Sequence, residues 1–270
     1  MFIVKVPGIN GLKKTNGCEK SPNEILRVLK EEIYSNEQGK VVEFDKLDLE
    51  EIHLDNLNLE LTNKLIYENS FETYEEKPQV VFLGGDHSIS YSTTRAFFDY
   101  CQNSGKEPSL IIFDAHSDLM GPSSEFPTHE EWLRKLIEDG FPVENILLVG
   151  IRNSYKDELD FIEEKGIKVI SVNDLLLDLE NVCDSIMEFA KGKELYVSLD
   201  IDVVDPAFAP ATGYPEPAGL TSRQFLYLVS RINKMKNLRA IDLVEINSEK
   251  DKEFDGLTTK LGAKILGEFI

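Results

Sequence analysis

Leu110-Ile111-Ile112-Phe113-Asp114-Ala115-His116-Ser117-Asp118 joins four consecutive apolar residues to a polar stretch in which every second residue can ligate a cation. A short run apolar on both alternating faces suits a parallel strand covered on both sides, and the change at Asp114 marks its carboxyl end. Comparable runs at Phe2–Val6, Val41–Phe44, Val80–Leu83, Ile146–Val149, Lys168–Ser171, Leu195–Leu199 and Leu238–Val244 are expected strands. Helical spacing falls between them, over Asn23–Tyr34, Ser90–Cys101, Thr128–Asp139, Asp157–Glu164, Leu179–Ala190, Arg223–Lys234 and Thr259–Phe269. Ser21-Pro22 reads as a helix start, serine capping and proline in the first turn. The acidic, leucine-containing stretch from Asp45 to Lys77 is expected to be helical. This alternation predicts an α/β fold with a mostly parallel, doubly covered sheet, as one unit over residues 1–270.

Composition narrows the partners. The net charge is −20 and there is no basic stripe, so nucleic acid is excluded as a partner, since that binding depends on Lys and Arg neutralising phosphates. The acidity solubilises the surface and would mildly favour a cationic substrate. No window has the ~20 apolar residues of a membrane span. Met1–Asn10 lacks the features of an export signal. Cys18, Cys101 and Cys183 are scattered, odd in number and without a C-x-x-C pair, which fits buried reduced thiols. A cytoplasmic protein is expected.

Chemistry gathers where strands end, which is where open α/β sheets bind ligands. Val80–Leu83 runs into Gly84-Gly85-Asp86-His87-Ser88, whose glycines permit a tight exit and leave His87 at the rim. After Leu110–Phe113 come Asp114, His116 and Asp118, which share one side of an extended chain. Ser198-Leu199-Asp200-Ile201-Asp202 places Asp200 and Asp202 on one face, with Asp205-Pro206 following. Each cluster alone has an ordinary reading, as a satisfied polar side chain, a solvated loop or a cap. Together, two histidines and four carboxylates would strongly resist ionising side by side without cations. Imidazole with carboxylate suits hard or borderline divalent ions. Six side chains are too many for one tetrahedral site and fit two ions with bridging carboxylates, whose charge of +4 would balance the four aspartates. Such a pair lowers the pKa of water toward ~7 and supplies a nucleophile at neutral pH.

With these motifs in hand, the chain resembles the ureohydrolase family of arginases, agmatinases and related amidinohydrolases. G-G-D-H-S, D-A-H-S-D and S-L-D-I-D-V-V-D-P occur in the family's order, followed by A-T-G-Y-P-E-P-A-G-L-T and D-L-V-E-I-N. The resemblance implies a three-layer α/β/α fold, two manganese or other divalent ions, and a homo-oligomer, trimeric or hexameric. It implies that His87, Asp114, Asp118 and Asp200 hold one ion, and that Asp114, His116, Asp200 and Asp202 hold the other. Asp86 and Asp205 would orient ligands. Glu245 would receive a guanidinium group, a planar cation that forms fork-like pairs with carboxylates. His129 would carry a proton to the departing amine. Glu130 follows it where agmatinases and arginases typically have glycine, and Thr128 could instead cap a helix with His129 in its first turn; both readings stay open. His53 lies outside every motif and is expected to be structural.

The substrate implied is a small cationic guanidino compound, cleaved to urea and an amine. Leu119-Met120-Gly121-Pro122 and Asn153-Ser154-Tyr155 stand where arginases bind the amino-acid head, and Met offers no donor to a carboxylate. Pro215-Glu216-Pro217 is more like agmatinases, so an agmatine-like substrate is expected. Arginase or formiminoglutamase activity is the alternative. Histone-deacetylase-like amidohydrolases are set aside because their paired-histidine motif is absent. A non-catalytic metal-binding regulator on the same scaffold is the alternative of another class.

Overall fold

The computed structural model describes every residue from Met1 to Ile270. Its centre is one eight-stranded sheet: β1 (Phe2–Val6), β2 (Asp48–Glu51), β3 (Val80–Gly84), β4 (Pro108–Phe113), β5 (Ile146–Ile151), β6 (Lys168–Ser171), β7 (Glu194–Asp200) and β8 (Leu238–Val244). All neighbouring pairs are parallel, in the order β2-β1-β3-β8-β7-β4-β5-β6. The helices are α1 (Ser21–Glu32), α2 (Leu59–Glu76), α3 (Ile89–Asn103), α4 (Trp132–Glu138), α5 (Lys156–Lys165), α6 (Val172–Leu177), α7 (Leu179–Phe189), α8 (Ser222–Ile232) and α9 (Leu257–Glu268).

Strand residues alternate between two cores, which makes three layers. Ile3, Val81, Ile111, Val197 and Ile241 pack with α1, α7, α8 and α9. Phe82, Leu110, Ile112, Tyr196 and Ala240 face the other way, onto α2, α3, α4 and α5. The expected three-layer α/β/α architecture is therefore what the chain adopts, with a sheet parallel throughout.

Three local expectations are corrected. Val41–Phe44 is not a strand: Val41 is 66% exposed and makes only an isolated bridge to Ser35. The acidic Asp48–Glu51 pairs with β1 instead, because an edge strand needs backbone pairing and tolerates charge on its open faces. The stretch from Asp45 to Lys77 is thus helical only in α2 and in a single 3-10 turn at Phe44–Lys46. Ser21 is the first residue of α1 rather than its cap, and its hydroxyl donates to the Ile246 carbonyl.

The chain order explains the site. β3 and β4 are laid down with a gap between them, and the late strands β8 and β7 fill it. The carboxyl ends of β3, β8, β7 and β4 become four adjacent positions, bringing together residues more than a hundred positions apart.

Candidate metal centre

The turn after β3 works only with glycine at Gly85, since an added Cβ would lie 2.1 Å from the Gly8 carbonyl oxygen. The chain then turns so that the His87 ring points inward, 1% exposed. Asp86 secures the turn: its Oδ2 accepts from the Asn10 N–H and the Thr15 hydroxyl, each at 2.7 Å, and its Oδ1 from Ser88. Asp86 thus orients His87 through the backbone. Asp205 forms no hydrogen bond or ion pair with the six expected ligands; it accepts the N–H groups of Ala207 and Gly219 and shapes its own loop. The expectation that it orients ligands therefore has no hydrogen bond of its own behind it, in contrast to Asp86.

His87 Nδ1 lies 3.0 Å from Asp118 Oδ2, 3.1 Å from Asp114 Oδ2 and 3.2 Å from Asp200 Oδ2. Spacings near 3 Å are those of neighbouring ligands around one ion at about 2.1 Å from each, being √2 times larger. The opposite ring atom, Nε2, is 2.8 Å from Ser198 Oγ, whose single hydrogen goes to Asp242 Oδ1 at 2.6 Å. Ser198 can therefore only accept from His87, so Nε2 carries a proton and Nδ1 is the atom left to face the three carboxylates, which, against burial, hold the ring's pKa well above its ordinary value. That atom and Asp114 Oδ2 are buried without any hydrogen-bond partner. A cation resolves this arrangement, and the residues fit one.

A second cluster lies alongside. His116 Nδ1 is 2.9 Å from Asp202 Oδ2 and 3.7 Å from Asp114 Oδ1. Asp114 is the side chain common to both clusters, the position of a bridging carboxylate. Asp200 reaches the first cluster through Oδ2 and gives Oδ1 to the Asp202 N–H at 2.8 Å. The six ligand candidates read from the sequence are brought to one place.

Their electrostatics show what a cation would offset. Burial, then the Asp114 charge, pushes the Asp118 carboxyl up to about 7. Burial likewise raises Asp200 well above the carboxylate range, with Asp202 and Asp114 adding to it. Burial works against a charged His116, but the Asp202 and Asp114 carboxylates outweigh it and lift the imidazole to about 12. Protons occupy the role of positive charge here.

Glu245, just past β8, is buried and held at a positive φ of 64° by its N–H, which donates to the Gly85 carbonyl at 2.9 Å. Asp118 shares this left-handed backbone at 53°. Strain of this kind in non-glycine residues persists where surroundings dictate it, commonly at functional sites. Glu245 Oε1 accepts from the His87 N–H at 3.0 Å, while Oε2 is buried without a partner. Burial, then Asp86, raises its pKa well above the usual range.

His129 is not part of a helix. α4 begins at Trp132, and Glu131 rather than Thr128 ties the preceding turn by accepting from the N–H groups of Thr128 and Ser123. The His129 ring is buried, with Nδ1 3.6 Å from Glu245 Oε1 and Nε2 unpartnered. Burial lowers its pKa. The helix-cap alternative is thereby removed. His53 is exposed and lies beside Glu51, so it supports no packing.

Several contributors escaped the sequence reading. Trp132 Nε1 donates to Asp118 Oδ2 at 2.7 Å. Ser198 and Asp242 fix His87, and Asp242 also accepts from Ser90 and Tyr196. An acid inside the apolar run Leu238–Val244 was the available signal. Arg152 donates to the carbonyls of Asp202, Glu216 and Pro217 and binds the β7 turn to the loop at 216–219. Tyr214 lies 5.0 Å from His129, ring centre to ring centre. Tyr214, His129 and Glu245 line a cleft of about 160 Å³ that opens onto the ligand candidates, with Met120 and Glu130 among its walls.

Comparison with known proteins agrees with this geometry. The chain matches the Arginase family over residues 1–270. It is 29% identical over 297 aligned positions to an arginase of Staphylococcus aureus (strain MRSA252), covering 99% of this chain and 95% of that one. It is 33% identical over 192 positions to an agmatinase of Bacillus subtilis (strain 168), covering 70% of this chain and 61% of that protein. The structure of a proclavaminate amidino hydrolase from Streptomyces clavuligerus superposes with a TM-score of 0.87 at 26% identity, covering 99% of this chain and 89% of that one.

Proposed function

The chain belongs to the arginase family, and on that premise we propose that it hydrolyses a C–N bond of a guanidino compound to give urea and an amine. In this reading His87, Asp114, His116, Asp118, Asp200 and Asp202 hold two divalent ions, manganese foremost. The observation that carries it is the meeting of two three-ligand clusters at Asp114, beside a cleft also lined by Glu245, whose Oε2 is unpartnered. When bound, the ions would lower the pKa of water toward ~7 and supply a nucleophile at neutral pH.

The chain's own groups do the rest. Glu245 receives the guanidinium, with Oε2 free and Oε1 steadied by the His87 N–H; the charge-assisted pair holds the planar cation in one orientation. Burial keeps His129 neutral, so Nε2 can take the proton released by the attacking water and return it to the departing amine. Trp132 and Ser198 keep Asp118 and His87 from turning away.

An agmatine-like substrate is favoured because the cleft wall carries acids and no Lys or Arg. A carboxylate tail would find no cation on that wall. A homo-oligomer in the reducing cytoplasm accords with the resemblance and with three buried free cysteines; no helix is long and apolar enough to cross a membrane. The test is product release by the metal-loaded protein from agmatine, arginine, guanidinobutyrate and formiminoglutamate, as urea from the first three and formamide from the last. Metal-dependent urea from agmatine ahead of the others is expected. Tight metal binding without turnover of any would favour the regulator.

A further inference from the structure

We propose that Glu130 is the specificity-determining residue that selects substrates bearing a second positive charge; this rests on the guanidino reading above and names the group that meets the substrate's far end. With the guanidinium at Glu245, the tail must run outward along the cleft. Beyond Glu245 and the ligand set, two carboxylates line that path, Glu130 and Glu158. Glu158 is committed to the fold: Oε1 accepts the Leu119 N–H at 2.8 Å and Oε2 the Tyr155 N–H at 2.7 Å, closing the start of α5. The half-buried Glu130 is adjacent to His129 in sequence, and its side chain makes no hydrogen bond or ion pair. It is a side chain where the family resemblance calls for glycine, so its carboxylate is an addition to the common plan.

A carboxylate left without a partner beside so many others lies in a field that attracts cations. An ammonium tethered to the guanidinium supplies the missing charge and converts that repulsion into a contact. The rival is Lys14, whose Nζ lies 4.3 Å from the centre of the Tyr214 ring and which forms no ion pair, so that it could draw a carboxylate tail. Glu130 is preferred because it lines the cleft and Lys14 does not.

Three guanidines with four-carbon tails separate these readings: agmatine ends in an amine, N-butylguanidine in a methyl, and 4-guanidinobutyrate in a carboxylate. Steady-state urea release by metal-loaded wild type is expected to rank them in that order. In Glu130→Gln the kcat/KM for agmatine should fall about tenfold further than that for N-butylguanidine, mostly through KM, as expected for loss of one charge-assisted contact. Equal effects on both compounds would overturn the assignment while leaving the guanidino reading intact. A wild-type preference for 4-guanidinobutyrate that is lost in Lys14→Met would overturn it in favour of a carboxylate tail. Turnover of none of the three, nor of arginine, by the wild type would remove the guanidino reading itself, and this inference with it.

Discussion

His87 Nε2 stands 2.8 Å from Ser198 Oγ, and because that hydroxyl already donates to Asp242, the ring must present its other nitrogen to the carboxylates of Asp114, Asp118 and Asp200. Metal-ligating histidines are commonly held this way, by a partner on the far ring nitrogen. Here the partner is itself held by an acid on the neighbouring strand.

Removing that hold should loosen the metal rather than the fold alone. Asp242→Asn keeps the volume but can present N–H groups to Ser198, which reverses the hydroxyl and no longer fixes His87 in one tautomer. Competition with a chelator is expected to show metal affinity reduced about 10- to 100-fold. Ser198→Ala should act in the same direction. Unchanged affinity in both would mean that the relay is packing only.

The metal-free protein should lose stability as pH rises from 5 to 7.5. Asp118, raised to about 7 by burial and Asp114, favours the fold fully below its unfolded value near ~3.9, and that contribution is lost as pH rises through the folded value. Asp200 and Glu245, also raised mainly by burial, act in the same sense. His129, lowered by burial, opposes them, since the unfolded ring takes up a proton more readily below ~6.5. Asp202, raised by burial, and His87 and His116, raised against burial by the surrounding carboxylates, add to the same trend against the one lowered imidazole, so Tm by calorimetry should fall by several degrees across this window without metal and change little with it. A rising Tm without metal would contradict the electrostatic reading.

Glu245→Gln should separate substrate handling from metal binding. The amide retains an oxygen to accept the His87 N–H but loses the charge that meets a guanidinium. A fall of about 10²-fold or more in kcat/KM for the preferred guanidine is expected, with metal content unaltered. Loss of metal as well would make Glu245 a ligand rather than a substrate contact.

Arg152 offers a purely structural test. Its guanidinium satisfies three carbonyls at 2.6–2.9 Å from two separate loops, a fork that an ammonium cannot reproduce. Arg152→Lys should cost about 2–3 kcal/mol in denaturant unfolding.

How much of this could be read in the chain depended on burial. Strands covered on both faces, such as Leu110–Phe113 and Leu195–Leu199, announce themselves because both faces must be apolar. The edge strand Asp48–Glu51 is fixed by pairing with Phe2–Lys5, which leaves no hydrophobic trace. The six ligand candidates were legible because their residue types alternate at strand ends. Ser198, Asp242 and Trp132 were not, since a serine or a tryptophan there looks like ordinary strand or helix filling until the fold sets it against His87 or Asp118. His129 was undecidable because Thr128 is as good a cap on paper; Glu131 supplied the turn's acceptors instead.

The central claim is that Asp114 joins two cation sites rather than one. Metal content per chain, measured by elemental analysis after equilibrium dialysis against manganese, tests it most directly. Two ions per chain are expected in the wild type, with retention of two lost in His116→Ala. One ion or none in the folded wild-type protein would contradict it.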